Sequence, residues 1–477
     1  MILDSPDAFP SATRVLIIGG GACGMAAALT LADAGVECVV LERDALPAGS
    51  TALSSGLIPA CGTRWQKAAG KNAGSAANPF VGDSIELLAS DIARKNHGGA
   101  DAAVTRAVCA ASGPALEWLA DQHGIEFQVL EGFLYPGHSV ARMHAVAEKT
   151  GAGLMGRFAQ AAARAGVTLL SAAHVTTLFA DAKSAGRISG IRLTRPDRST
   201  EEIGCDALIL ACNGYGGNRA MVQQNIPEIA NAPFAGHTGN QGDAVRWGQA
   251  LGAQVADMGA YQGHGSWATP HGALVTWALM MEGGIQLNAH GARFWNEHEG
   301  YSEAAQHVIA QPGAVAWNLY DERLHQLGMT FPDYAGLFKT GAMKCAETLG
   351  GIASQMHMPE EALAATVSEV MALQKGGGRC AFGRDFCGKP ALHAPYYAVK
   401  VTGALFHTQG GLVVNTKARV LKQNGTPFPN LYAGGGAARG LSGAHVWGYL
   451  SGNGLLSAVA LGRIAAMEIA RKHQTGL

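Results

Sequence analysis

The nine cysteines of this 477-residue chain include no CxxC pair. That removes a c-type haem attachment, and neither an iron–sulfur spacing nor another metal-ligand set is present. Single scattered cysteines in a chain of this size read as reduced thiols, the pattern of a cytoplasmic protein. Charge is scarce as well: Asp, Glu, Lys and Arg make up 15% of the residues, and the formal net charge is −1. Nothing in that balance points to nucleic acid or an anionic membrane surface as a partner. The opening residues, MILDSPDAFPSATR, hold no basic segment followed by an apolar one and no twin arginine, so no export signal is read there. The most apolar early stretch, 15–41, is interrupted by glycines, Asp33 and Glu37 and makes a poor membrane span.

Glycine, by contrast, is abundant, with 65 residues, roughly twice its usual share. Many glycines come in pairs at the ends of apolar runs, where they let backbone approach a ligand closely. A hydrophobic content of 48% fits a globular enzyme, and the length predicts two or three domains rather than one core.

The stretch RVLIIGGGACGMAAALTLADAGVECVVLERD, residues 14–44, reads as strand (14–18), tight turn, helix (22–34) and strand (37–42). Gly19, Gly21 and Gly24 form GxGxxG in that setting. The first allows the turn, the second lets a pyrophosphate approach, and the third lets helix and strand pack. Glu42 ends the second strand, where a carboxylate bonds ribose hydroxyls. The Ser/Thr/Gly loop GSTALSSGLIPACGT (49–63) follows, suited to hydrogen-bonding an extended cofactor. A second apolar strand ending in glycines, CDALILACNGYGGN (205–218), is typical of two-part FAD domains. The stretch before it, 187–211, reads as strand, turn, strand, strand.

With these motifs the sequence resembles the flavoproteins related to fumarate reductase and succinate dehydrogenase, a family that includes the 3-ketosteroid dehydrogenases. ACNGYGGNRAMV, TGNQGDAVRWGQALGAQVADM, EGGIQLNAHGARFWNE, HTQGGLVVN and PFPNLYAGGG follow in the family's order and span almost the whole chain. The resemblance implies an α/β fold: a two-part, Rossmann-like FAD domain (1–258 and 404–477) with an inserted α+β cap (259–403). It assigns FAD contacts to Gly19, Gly21, Ala22, Gly24, Glu42 and Arg43, to Ser50, Thr51, Ser54, Ser55 and Gly56, and to Val175, Gly214 and Asn218. Gly410, Gly435, Asn453 and Leu455 complete that set. Covalently flavinylated members carry a histidine before the threonine matching Thr51; Ser50 stands there, which implies non-covalent FAD. Many relatives carry a carboxylate where this chain has Gly436.

The family's reductases deliver a proton from an arginine four residues past RFxNE, and clamp a substrate carboxylate with an arginine four residues before the asparagine of the final GGN. Those places hold Tyr301 and Tyr449. The reductases' relay partners become Trp277 and Met280. Taking hydrogen from adjacent carbons of a ketone needs an electron acceptor, a base, and a donor to the carbonyl oxygen as charge builds there. In the ketosteroid dehydrogenases the tyrosine past RFxNE is the base, which implies that role for Tyr301. Tyr449-Leu450-Ser451 matches the Tyr-x-Ser pair of the Δ4 enzymes, which takes part in proton transfer. An ordinary phenol ionises near pH ~10, so the base is expected to be helped by a helix N-terminus or a hydrogen-bonded partner.

Each of these residues also has a plainer reading. A lone tyrosine is most often packing, and Ser451 suits the cap of a helix starting at 452. His264 (in YQGHGS) and His407 (in HTQGG) are candidates for bonding a substrate carbonyl or carboxylate, or are simply satisfied by backbone. His445 is a weaker candidate. Trp267, Trp277, Trp295 and Trp447 line a pocket or fill the cap, and Gly452 sits where backbone approaches substrate. The N-terminus of the last helix (452–472) faces the flavin N1/O2 side and stabilises the reduced anion.

The expected activity is FAD-dependent introduction of a C=C bond α,β to a ring ketone: a 3-ketosteroid of the Δ4 kind, or a cyclohexanone-type compound, with room for a ring carboxylate as in 4-oxocyclohexanecarboxylate. Electrons leave to oxygen or an unidentified acceptor. A fumarate- or urocanate-type ene-reductase is the alternative, and a flavin-binding electron-transfer subunit a distant one.

Overall fold

A computed structural model describes residues 1–72, 82–131, 133–181 and 186–475. Its main sheet has nine strands. Ser11–Ile18 pairs in parallel with Cys38–Leu41 on one side and Thr200–Leu210 on the other. Cys38–Leu41 continues to Thr168–Leu170. Pro427–Ala433, from the far end of the chain, pairs in parallel with the end of Thr200–Leu210, Leu431 opposite Leu208. These central strands are covered on both faces, which is why they read as unbroken apolar runs rather than as alternation. Leu16, Ile17, Val40, Leu208 and Ile209 are fully buried. Where the sequence suggested two strands before residue 211, one strand, Thr200–Leu210, forms an antiparallel hairpin with Arg187–Thr194.

The helix Ala22–Asp33, rich in alanine, packs against the last helix, Asn453–Thr475, which begins one residue later than the sequence suggested. Among the described residues that last helix alone is long and apolar enough to cross a membrane, and 72% of its apolar window is buried inside the protein.

A second, antiparallel sheet carries Ala273–Leu274, Tyr261–Ala268, Tyr396–Thr408, Ala316–Asp321 and Ile285–Leu287 in that order, with Met343–Ala346 also on Tyr396–Thr408. The strand Tyr396–Thr408 passes position 403 without a break. Helix Tyr301–Ile309 lies flat on this sheet, with Ala304, Ala305 and Val308 fully buried against it. The contact depends on glycine: a Cβ on Gly265 would lie 2.2 Å from the Ala304 Cβ.

The segment leading into that helix is pinned by a buried carboxylate. Glu297 receives Arg293 Nη2 at 2.5 Å and Arg384 Nη1 at 3.1 Å, and its Oε1 accepts from the Gln286 amide at 3.1 Å. Arg384 also donates to the carbonyls of Gly284 and Met280. Burial raises the Glu297 carboxyl, but the charges of Arg384 and Arg293 outweigh it and hold it down at about 2. Removing the carboxylate leaves two guanidiniums without a counter-charge in the cap interior. Glu297→Gln is therefore expected to cost about 3–5 kcal/mol, read as a fall in the urea midpoint. In the wild type the same contribution is present above the unfolded carboxylate range and is lost as pH falls from there towards about 2.

Candidate active site

Two cavities meet along one slot. The first, about 800 Å³ with its open mouth, lies over the GxGxxG turn and is lined by Gly19, Gly21, Ala22, Glu42, Arg43, Val175 and neighbours. The second, about 1410 Å³ counted the same way, lies between main sheet and cap. They share Ser50, Thr51, Asn213, Gly435, Gly436 and Ala458. Ser54, Ser55, Gly56 and Leu455 line the second.

At the turn, Glu42 Oε2 accepts from the Gly20 amide at 2.8 Å and Oε1 from the Asp44 amide at 3.0 Å. The Ala22 amide donates to Thr51 Oγ1 at 3.2 Å. Gly24 lines neither cavity, and a Cβ there would lie 1.9 Å from the Gly19 carbonyl oxygen. It acts through packing, as the motif requires. Gly214, Gly410 and Asn218, three residues with expected FAD contacts, also lie outside both linings. Asn218 instead caps helix Arg219–Asn225, its Oδ1 accepting from the Met221 amide at 3.2 Å, and its Nδ2 donates to Gln241 O at 3.1 Å. A Cβ on Gly214 would meet Thr408, and one on Gly410 would meet Asp257 and Met258.

Asn453, between Gly452 and Gly454 of the lining, is fully buried, and neither its Oδ1 nor its Nδ2 has a protein partner. A buried amide with both ends unpaired is costly unless a bound group pairs it. Together with a carboxylate at one end, amides and hydroxyls along the middle and glycines at the other, this donor set suits an extended dinucleotide.

At the inner end of the second cavity the chain brings together Tyr301, Tyr449, Ser451, Gly452, His264, His407 and Trp277. Tyr301 is the first residue of its helix, after Gly300 at φ 145°. Its ring centroid lies 6.2 Å from that of Tyr449, and His264 stacks on it at 4.7 Å. The Ser451 and Tyr449 hydroxyls and the Gly452 amide lie close enough to the Tyr301 phenol to pull it towards ionisation. The amides of Gly452 and Gly454, at the start of the last helix, act on Tyr449 in the same sense. These groups favour ionisation, as expected, yet burial outweighs them and pushes Tyr301 up to about 12. Tyr449 is raised further, by burial and then by the Tyr301 charge.

Burial lowers His264 to about 3 and His407 to about 4, so both are neutral near pH 7. His264 Nδ1 accepts from the Ser266 amide at 3.1 Å, which leaves Nε2 as its protonated nitrogen. His407 Nδ1 lies 3.0 Å from the Gln409 side-chain nitrogen. Trp277 donates to Glu297 O at 3.2 Å. Behind Tyr301, burial raises the Glu303 carboxyl to about 7 despite its ion pair with Lys95, which links helix Ile85–Lys95 to the cap.

Three features escaped the sequence reading. Tyr135 lines the cavity near Tyr301, its phenol raised by burial and then by the Tyr301 charge. Asp333 lines it from helix Pro332–Phe338. His138 Nε2 donates to the Ser451 carbonyl at 2.9 Å and steadies that loop. No short motif marks any of them. Trp267, Trp295 and Trp447 lie outside the lining, and Trp447 is stacked between His97 (4.4 Å) and His445 (4.8 Å).

The family model described as "FAD binding domain" matches residues 14–455. A probable fumarate reductase of Shewanella frigidimarina is 27% identical over 464 residues, 97% of this chain and 75% of the relative. The 4-oxocyclohex-2-ene-1-carboxylate 5-dehydrogenase of Sinomonas cyclohexanicum is 24% identical over 579 residues, 96% of this chain and 94% of the relative. Among solved structures, the 3-ketosteroid-Δ4-(5α)-dehydrogenase of Rhodococcus jostii RHA1 in complex with 4-androstene-3,17-dione superimposes with a TM-score of 0.76 at 25% identity, covering 97% of this chain and 98% of that one. FAD is the cofactor these comparisons support. Gly24→Ala is expected to strip the purified protein of most of its flavin absorbance, because the turn and helix can no longer meet. Acid precipitation of the wild type is expected to leave the flavin in the supernatant; colour in the pellet would mean a covalent bond.

Proposed function

This chain belongs to the FAD binding domain family, and from that premise we propose that it is a dehydrogenase that introduces a C=C bond next to the carbonyl of a cyclic ketone. The observation that carries the reading is the edge-on Tyr301–Tyr449 pair, ring centroids 6.2 Å apart, at the inner end of a cavity whose described lining contains no lysine or arginine. A reductase acting on an anionic enoate needs cations to hold its substrate. A ketone needs donors to its oxygen and a base beside its α-carbon.

The adenosine end of FAD would be held by Glu42 and the turn amides, the middle by Ser50, Thr51, Ser54 and Ser55, and the flavin end by Gly435, Asn453 and Leu455. Bound FAD supplies the acceptor for the two electrons and the hydrogen lost from the β-carbon. Tyr301 first gives up its own proton, the phenolate being favoured by Ser451, Tyr449 and the Gly452 amide; it then takes the α-proton and returns to the phenol. The neutral His264 offers Nε2–H to the ketone oxygen, and a neutral donor there is poised to share charge with the developing enolate rather than to pair with a carboxylate. Trp277, Tyr135 and Phe406 exclude water, which strengthens these hydrogen bonds. The proton on Tyr301 leaves through Tyr449 and Ser451. Each saturated ketone thereby loses one proton to the protein and two electrons with one hydrogen to FAD, and emerges as an enone.

Anaerobic mixing with saturated cyclic ketones, from cyclohexanone to 3-ketosteroids, tests this: the flavin absorbance is expected to bleach. No bleaching by any ketone, with reoxidation of the reduced protein by fumarate, would overturn the reading in favour of an ene-reductase. Tyr301→Phe is expected to keep its FAD and slow the bleaching by about 10²–10⁴-fold. Since Tyr301 ionises at about 12, the wild-type rate is expected to climb roughly tenfold per pH unit from 7 to 10, a slope absent from the phenylalanine variant.

A further inference from the structure

The described lining of the inner cavity contains one acidic side chain, Asp333, and no lysine or arginine. Asp333 makes no hydrogen bond and no ion pair with another described residue, and desolvation raises its carboxyl above the ordinary range. The residue is exposed, whereas Tyr301 and Tyr449 are 8% and 5% exposed. It therefore stands at the outer end of the cavity, with the phenols at the inner end. Phe331, two residues before it, also lines the cavity, its ring meeting Phe133 edge-on at 5.7 Å, and the lining includes Leu53 and Leu274.

We infer that Asp333 determines specificity: the cavity takes cyclic ketones whose far end carries a hydrogen-bond donor, a hydroxyl or an ammonium, and rejects ketones bearing a carboxylate. The inference rests on the proposed ketone chemistry and narrows its substrate class. With the ketone against the phenols, the far substituent points to the outer end, where a second carboxylate would face Asp333 with no cation to separate them. Like charges in a partly desolvated site repel by more than in bulk water, and the ring has no second charged anchor to offset this. A hydroxyl or ammonium at the same place donates to a carboxylate that the protein leaves unpaired.

The test compares 4-oxocyclohexanecarboxylate, its methyl ester and 4-hydroxycyclohexanone as reductants of the FAD-loaded protein. In parallel, 4-hydroxybenzoate and its methyl ester, which cannot be desaturated, are titrated as ligands that perturb the flavin spectrum. In the wild type the 4-hydroxy compound and the ester are expected to outdo the carboxylate by about tenfold or more in kcat/KM, chiefly through KM, and the benzoate ester to bind about tenfold more tightly than the benzoate. Asp333→Asn is expected to collapse both ratios towards unity, and Asp333→Lys to invert them, with flavin content showing that both variants are folded. A wild type that takes carboxylate and ester equally, or ratios that survive in Asp333→Asn, would overturn the inference. If no ketone bleaches the flavin, the desaturase reading fails, and the benzoate pair still decides whether Asp333 discriminates against anions.

Discussion

The inner end of the cavity depends on where one helix begins, and that is fixed by a carboxylate held between two guanidiniums. Glu297 joins Arg293 and Arg384 inside the cap and accepts from the Gln286 amide. Its position sets the path of residues 297–300, and Tyr301 follows immediately as the first residue of its helix. The same helix is pressed onto the cap sheet so closely that its neighbours Gly263 and Gly265 leave no room for side chains. Rigid support of this kind matters because a proton-transfer group must be held within hydrogen-bonding reach of the atom it serves.

Once placed, the phenols are governed by desolvation. The Ser451 and Tyr449 hydroxyls beside Tyr301 and the amides at the start of the last helix pull towards ionisation, while burial pulls harder the other way. The same burial keeps His264 and His407 neutral. The cavity thus holds several groups able to donate or accept protons, all uncharged at rest around the ring. Such a site is poor for an anion and well suited to a carbonyl compound that becomes anionic only during reaction.

Residues 14–44 displayed their architecture in the sequence because strand, turn and helix there are local, and the glycine spacing is dictated by contacts within one βα unit. That Tyr301 and Tyr449 share one cavity was legible for a different reason: both stand at fixed offsets from motifs, RFxNE and the final GGN. Tyr135, His138 and Asp333 had no such anchor. They reach the cavity from segments far from those motifs in sequence, and only the packing of cap on main sheet brings them there. Asn218 shows the opposite case, a residue inside a good motif whose side chain is spent on capping a helix. Groups that favour ionisation do surround Tyr301, but the depth at which the pair lies was not visible in one dimension.

The central sheet is completed by Arg419–Leu421 and Pro427–Ala433 and covered by Asn453–Thr475, although its other strands lie before residue 211. On the ribosome, at about 5–20 residues per second, those early strands wait on the order of tens of seconds for their last partners. Through that interval the tip of Thr200–Leu210 has an unpaired edge, and the face of Ala22–Asp33 that the last helix covers is bare. The nucleotide slot is consequently a product of late synthesis. A chain cut short before its final strand can finish neither the sheet nor the site, and is left with an exposed apolar surface for chaperones to hold.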